Sequence, residues 1–245
     1  MDPVASALPH ADERGRSRMA RLFHGLSRRA RRKRAELFRQ AFRLDENTRI
    51  LDLGSETGSN IHEVLQSTRA RPENVHIADI NPQLVEAGRA RYGFVPVVVG
   101  ESGALPFPDG YFDVVYCSSV IEHVTLPKER VWKAYSGRRF REESRKRQKA
   151  FAEEIRRVGR QYFVQTPYRH FPLESHSWLP FLGWLPRWLL IPALHLSNAF
   201  WIKQTSPDWY LMNRMEMAEL FPDAKILAEK CFGLTKSVMA VKTQA

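Results

Sequence analysis

The stretch Arg49-Ile-Leu-Asp-Leu-Gly-Ser-Glu-Thr-Gly58 constrains this chain more than any other part of it. An apolar run that breaks into a glycine-bearing turn and then opens a helix is the start of a βαβ unit, in which the backbone can approach a ligand closely. A second apolar run, Val75-His-Ile-Ala-Asp79, ends in an acid roughly 20 residues further on, where a carboxylate can grip a ribose diol. Together they predict a nucleoside-cofactor site at one edge of a parallel sheet. The turn argues against a dinucleotide, because a pyrophosphate needs glycine at three positions and here the middle one is Glu56, whose charge repels phosphate. A cofactor without phosphate is expected.

Beyond the turn, strand and helix signals alternate: strands at 49–53, 74–79, 95–99 and 112–117, helices at 59–69 and 82–91, a long charged helix or helix pair over 127–160, and a fifth strand at 161–166. A short helix at 212–221 and two strands, 225–229 and 236–242, separated by Cys231-Phe-Gly-Leu, close the chain. In front of the first strand, Leu37, Phe38 and Phe42 recur at helical spacing among arginines, which predicts an amphipathic helix from Ser27 to Leu44 covering the sheet edge or the ligand pocket. Residues 1–17, small and polar with Pro3, Pro9 and Gly15, read as disordered.

The motifs Ile50-Leu-Asp-Leu-Gly-Ser-Glu-Thr-Gly58, Asp79, Gly100-Glu-Ser-Gly-Ala-Leu-Pro-Phe-Pro-Asp-Gly-Tyr-Phe-Asp113 and Val114-Val-Tyr-Cys-Ser-Ser-Val-Ile-Glu-His-Val124 follow in that order. In this the chain resembles the class I S-adenosylmethionine-dependent methyltransferases, in their small-molecule, ubiquinone-type branch. The resemblance covers about residues 45–170 and resumes near 210–245. It implies an α/β fold, a doubly wound seven-stranded sheet with a C-terminal antiparallel hairpin, and S-adenosylmethionine as cofactor. It places Asp52, Gly54, Ser55 and Gly58 at the methionine end, Asp79 on the ribose hydroxyls and Glu101 near the adenine, with Ser102 and Ser118 as further cofactor contacts. Glu56 departs from the glycine usual in the family, and its side chain either pairs with the cofactor's α-ammonium or points to solvent.

Methyl transfer from a sulfonium is an in-line displacement, so holding nucleophile and methyl in line supplies much of the rate and a base is needed only where the nucleophile must lose a proton. His123, in Val-Ile-Glu-His-Val, and His176, in Phe-Pro-Leu-Glu-Ser-His-Ser-Trp, are the candidates, with His176 better placed on the loop after the fifth strand. Packing or capping is the competing reading of His123. Glu122-His123 is similar to the pair in a metal-assisted subset of these enzymes that carries a glutamate three residues before the Glu; this chain has Ser119 there, and no metal is expected.

The acceptor is less legible. No Asn/Asp-Pro-Pro-aromatic run follows the fourth strand, which argues against nucleobase amino methylation, and Cys117 lacks the preceding proline of a cytosine-C5 nucleophile. Five of the six tryptophans fall between Trp178 and Trp209 among Pro180, Pro186, Pro192 and Pro207. The segment Trp178–Ile202 approaches bilayer-spanning length, but its prolines and Arg187 forbid a span, leaving a lid over an apolar substrate, an interfacial segment, or a helical insert packed on the core. A small, lipid-like or glycan acceptor is expected, with a cofactor-binding interaction module or an RNA methyltransferase as the alternatives.

The net charge of +11 is unevenly placed. Residues 14–43 carry about +11, residues 138–160 about +6, and the remainder about −6. The positive segments suit an anionic membrane surface, a nucleic acid, or simply a solvated helix face. Two cysteines give no disulfide framework or metal spacing, and the N-terminal residues lack the apolar core of a secretion signal, so a cytoplasmic protein is expected, or one at the inner face of a membrane. The expected domains are a basic tail and helix over 1–45 and a methyltransferase domain over 46–245 with an aromatic, proline-rich insert at 171–209.

Overall fold

The computed structural model describes residues 11–100, 103–201 and 203–244. Its elements follow the order α1 (Ala11–Ala41), β1 (Ile50–Leu53), α2 (Ser59–Leu65), β2 (Val75–Asp79), α3 (Pro82–Tyr92), β3 (Val95–Val98), β4 (Phe112–Ser118), α4 (Lys128–Val131), α5 (Gly137–Val158), β5 (Gly159–Pro167), α6 (Arg187–Phe200), α7 (Arg214–Leu220), β6 (Lys225–Cys231) and β7 (Leu234–Lys242). The strands form one seven-stranded sheet in the order β3-β2-β1-β4-β5-β7-β6. β1 to β5 run parallel, and β7 turns antiparallel against both β5 and β6. The central strands are buried on both faces, which is why they read as nearly unbroken apolar runs such as Phe112-Asp-Val-Val-Tyr-Cys.

Two apolar layers flank the sheet. On one face α5 contributes Ala152, Ile155 and Val158 to a core with Val115, Tyr162 and Val164; on the other, α1 lays Ala35, Phe38 and Phe42 over Tyr116, Phe163 and Val241. Phe38 meets the Tyr116 and Phe163 rings edge-on at 5.1 and 5.7 Å. The predicted amphipathic helix therefore covers the middle of the sheet. It also begins at Ala11, well before Ser27 and inside the stretch read as disordered, because Ala, Arg, Leu and Met dominate after Pro9 and outweigh the cost of Gly15 and Gly25. Residues 1–10, the rest of that stretch, lie outside the described residues.

The charged segment 127–160 is a helix pair, α4 and α5. On α5 the buried positions Phe140, Ser144, Gln148, Ala152 and Ile155 form one stripe, and many of its charges are matched by acids, as in Arg145–Glu219 at 2.7 Å and Arg156–Asp223 at 3.2 Å. The insert folds as a short helical turn at Leu182–Trp184 and α6, which starts after Pro186 and contains Pro192. Leu190 and Leu194 face inward against Leu182, Trp209 and Leu211. Among the described residues no helix is long and apolar enough to cross a membrane.

Candidate functional site

The glycine turn is built by sterics. Gly54 has φ 75°, and a β-carbon there would lie 2.5 Å from both methyls of Val120; Gly58 has φ 72° and would meet Ile77 and Phe94 at 3.0 Å. Backbone thus passes closely between β1 and the loop after β4, as only glycine permits. Glu56 also adopts the left-handed region, at φ 53°, so it stands where glycine is the unstrained choice. Its side chain is exposed at the cleft rim and its N–H donates to Asp79 Oδ2 at 3.0 Å. Of the two readings, this conformation is the solvent-facing one.

Asp79 sits at the end of β2 with its other oxygen accepting the Asn81 N–H at 3.0 Å, so the carboxylate ties the turn to the start of α3. Each oxygen keeps acceptor capacity for a ribose hydroxyl. Asp52, one strand away, is buried; burial first, and then the neighbouring Asp79 charge, push its carboxyl well above the usual range. Its Oδ2 has no hydrogen-bond partner among the described residues and borders the cleft. A buried carboxyl oxygen of this kind fits a cationic ligand, and S-adenosylmethionine carries both an ammonium and a sulfonium.

An open cleft of about 810 Å³ runs from this turn across the carboxyl ends of the strands. Asp52, Gly54, Ser55 and Ser118 line it, joined by Ser119, whose hydroxyl and that of Ser118 both donate to Gln165 Oε1 at 3.1 and 2.8 Å. Gly58 does not line the cleft; its N–H closes the turn on the Ser55 carbonyl at 2.9 Å. Glu101 and Ser102 lie outside the described residues. Arg31 of α1 also borders the cleft and offers a guanidinium for the cofactor's carboxylate. The sequence carried no signal for it, since it is one arginine among many.

At the far end of the cleft the two histidines, read from the sequence as alternatives, come together with ring centroids 4.7 Å apart. Adjacent β4 and β5 deliver them: His123 follows β4, and His176 lies on the loop after β5. Glu174 nucleates that loop, its carboxylate accepting the N–H groups of His176 and Ser177, the Ser177 hydroxyl, and His176 Nδ1 at 2.6 Å. Burial alone would raise the Glu174 carboxyl, but those bonds hold it below its ordinary value. Asp208, from the far end of the insert, faces His123 Nδ1 at 3.4 Å, and Trp209 stacks on His176 at 5.6 Å. For His123, burial works downward, but the bond to Asp208 and the charges of Glu122, Asp208 and Glu174 prevail and raise it. Sequence reasoning missed Glu174 and Asp208 altogether. Ser119 points to Gln165, so any ion-binding role would have to draw on Glu122 and the histidines. Cys117 is fully buried, and burial first, then Glu122 and Asp52, push its thiol well above the usual range, which excludes a thiolate nucleophile there.

A doubly wound sheet with a reversed final hairpin, a glycine turn after β1 and an acid closing β2 are features shared with the class I S-adenosylmethionine-dependent methyltransferases. Residues 51–137 match the family model described as a methyltransferase domain. The ubiquinone/menaquinone biosynthesis C-methyltransferase UbiE of Vibrio parahaemolyticus serotype O3:K6 is 36% identical over 83 residues, 31% of this chain and 32% of that protein. Its counterpart in Vibrio vulnificus strain YJ016 is 34% identical over 83 residues, again 31% and 32%. The chain thus spans about a third of the length of the curated relatives it matches. Among solved structures, a putative O-methyltransferase from Nostoc punctiforme PCC 73102 superposes with a TM-score of 0.54 at 11% identity, over 87% of this chain and 56% of that one. A chain of the complex between the Haloferax volcanii Trm112 methyltransferase activator and the putative methyltransferase gives 0.53 at 15% identity, over 94% and 96%. These two share the fold. The chain is similar over residues 51–137 to a methyltransferase domain and over 83 residues to the ubiquinone-type C-methyltransferases, and the cofactor this similarity implies is S-adenosylmethionine.

Proposed function

We propose that the protein transfers the methyl group of S-adenosylmethionine to a small, lipid-like or glycan acceptor that enters the cleft from the insert side. One observation carries this reading: a single cleft joins the cofactor turn at Asp52, Gly54 and Ser55 to the paired histidines. The sulfonium supplies an activated methyl. The turn, Asp79 and Arg31 hold the cofactor, and the wall after β5 positions the acceptor, where the group around His123 and His176 deals with any proton the acceptor must lose.

The amphiphilic character of the acceptor is supported by the insert, which leaves Trp184, Trp188, Leu189, Leu196 and Phe200 in solvent, Trp188 at 61% and Leu196 at 67% exposure. Lys133, Arg138 and Arg139 are exposed near the start of α6, where Arg187 bonds the Val131 and Ala134 carbonyls. Aromatic rings beside cations suit the headgroup layer of an anionic membrane, and we place the protein there, at a cytoplasmic face. Incubation with methyl-labelled cofactor and fractionated cell extract tests the proposal. Label is expected in the lipid or glycan fraction, and release of S-adenosylhomocysteine with label in no such fraction would overturn the acceptor assignment.

A further inference from the structure

We infer that Glu122, His123 and His176 bind a divalent first-row transition cation at the floor of the cleft. One ligating atom from each lies within 4.8 Å of the others. At metal–ligand distances of about 2.0–2.2 Å, ligand atoms on a tetrahedral ion stand about 3.4 Å apart, so a gap of 4.8 Å closes by about 1.4 Å when the ion binds.

Three independent features point to an ion. Glu122 is 0% exposed and neither of its carboxylate oxygens accepts a hydrogen bond among the described residues; its closest cationic candidate, His176 Nε2, is 3.9 Å away, beyond hydrogen-bond reach. A buried carboxylate in that state is costly unless a positive charge meets it. Each histidine, next, has Nδ1 turned to its own carboxylate, His176 to Glu174 at 2.6 Å and His123 to Asp208 at 3.4 Å. This is the outer-sphere arrangement of metal-ligating histidines: Nδ1–H donates to the carboxylate, which fixes the ring and tautomer and leaves the Nε2 lone pair for the ion. Charge gives the third feature. Three acids surround two imidazoles; Lys203 donates to the Ser175 carbonyl and Arg187 to the Val131 and Ala134 carbonyls, so these two cations offset Glu174 and Asp208 only through space and neither is paired with Glu122.

Two imidazoles and one carboxylate favour zinc, manganese or cobalt over magnesium or calcium, which prefer all-oxygen shells. Both histidines border the cleft, so the ion's remaining positions open onto it. There it would take an acceptor hydroxyl and lower its pKa. That last role rests on the methyl-transfer reading: the oxygen–methyl bond forms as the carbon–sulfur bond breaks, sulfur keeps the electron pair, and the hydroxyl proton leaves to water. The binding site itself stands on the residues alone.

Full-length protein stripped with chelator and titrated with Zn²⁺ by calorimetry, and with Co²⁺ by visible absorption, provides the test. One ion per chain is expected, with the intense bands of low-symmetry cobalt. Glu122→Gln, and separately the double variant His123→Ala/His176→Ala, should weaken binding by about a hundredfold or more, and Asp208→Asn by about tenfold. S-adenosylmethionine titrated into the same samples reports the cofactor site separately, and its binding is expected to persist in all of them. Wild-type protein that takes up no ion, its acids balanced instead by protonated imidazoles, would overturn the proposal. So would equal uptake by wild type and the double histidine variant, which would assign the ion to the other histidines.

Discussion

Replacing Asp79 by alanine separates what that carboxylate does for the fold from what it does for the cofactor. In the folded chain it accepts the backbone N–H groups of Glu56 and Asn81, both at 3.0 Å. Hydrogen bonds to a charged group contribute roughly 1.5–3 kcal/mol each, and the partial exposure of Asp79 places these at the lower end, so losing both costs about 3 kcal/mol. For a chain of this size that lowers Tm by roughly 6–12 °C. The ribose loses its charged acceptor as well, and a single such bond of about 1.5 kcal/mol already weakens S-adenosylmethionine about tenfold. Asp79→Asn keeps one carbonyl oxygen and should recover about half of the Tm loss while recovering little affinity. Differential scanning fluorimetry reads the first effect and calorimetry with S-adenosylmethionine the second. Folded Asp79→Ala that binds the cofactor as tightly as wild type would refute the reasoning, as would wild-type protein binding NAD more tightly than S-adenosylmethionine.

His176→Ala should lower turnover by about a hundredfold or more with cofactor affinity unchanged, since easing the loss of an acceptor's proton, by His176 as base or by the ion it helps hold, typically contributes about 10²–10⁴; turnover within threefold of wild type on a verified acceptor would remove His176 from the chemistry. Deleting residues 1–24 spares Ser27 and Ala30, which border the cleft, so cofactor affinity should hold within about twofold. Flotation on anionic vesicles should fall, at about 1 kcal/mol for each of the four arginines removed, and the full chain's flotation should decline with added salt. Asp223 gives a pH dependence: burial works upward, but the Tyr162 hydroxyl and Lys242 ammonium prevail and hold its carboxyl at about 2 against an ordinary 3.8. Its stabilisation is complete above pH 3.8 and lost as pH falls through about 2, so Asp223→Asn should melt below wild type at pH 6 and converge with it near pH 2.

The sheet was legible because buried parallel strands are continuous apolar runs, and the glycine turn because its residues, from Asp52 to Gly58, are consecutive. The histidine cluster is assembled differently. Glu122 and His123, the Glu174–His176 loop and Asp208 come from three places in the chain, joined by the pairing of β4 with β5 and by the return of the insert. No periodicity reports such a meeting. Gln148 shows why: from the middle of α5 it donates to the Ile121 carbonyl at 3.0 Å and the Tyr210 carbonyl at 3.1 Å, pinning two of these segments together through a residue that reads as one polar position in a charged helix. The early start of α1 escaped for the opposite reason, an abundance of arginine that fits helix and open chain alike.

Both ends of the insert reach the histidine pair, one bringing Glu174 and His176, the other Asp208 and Trp209, and within it Trp201 Nε1 donates to the Ser177 carbonyl at 2.8 Å. The glycine turn after β1 takes nothing from this segment. Residues 171–209 therefore behave as a cassette: exchanging them would rewrite the surroundings of the histidine pair and the solvent-facing aromatic surface in a single graft, leaving the glycine turn and the strands β1 and β2 in place.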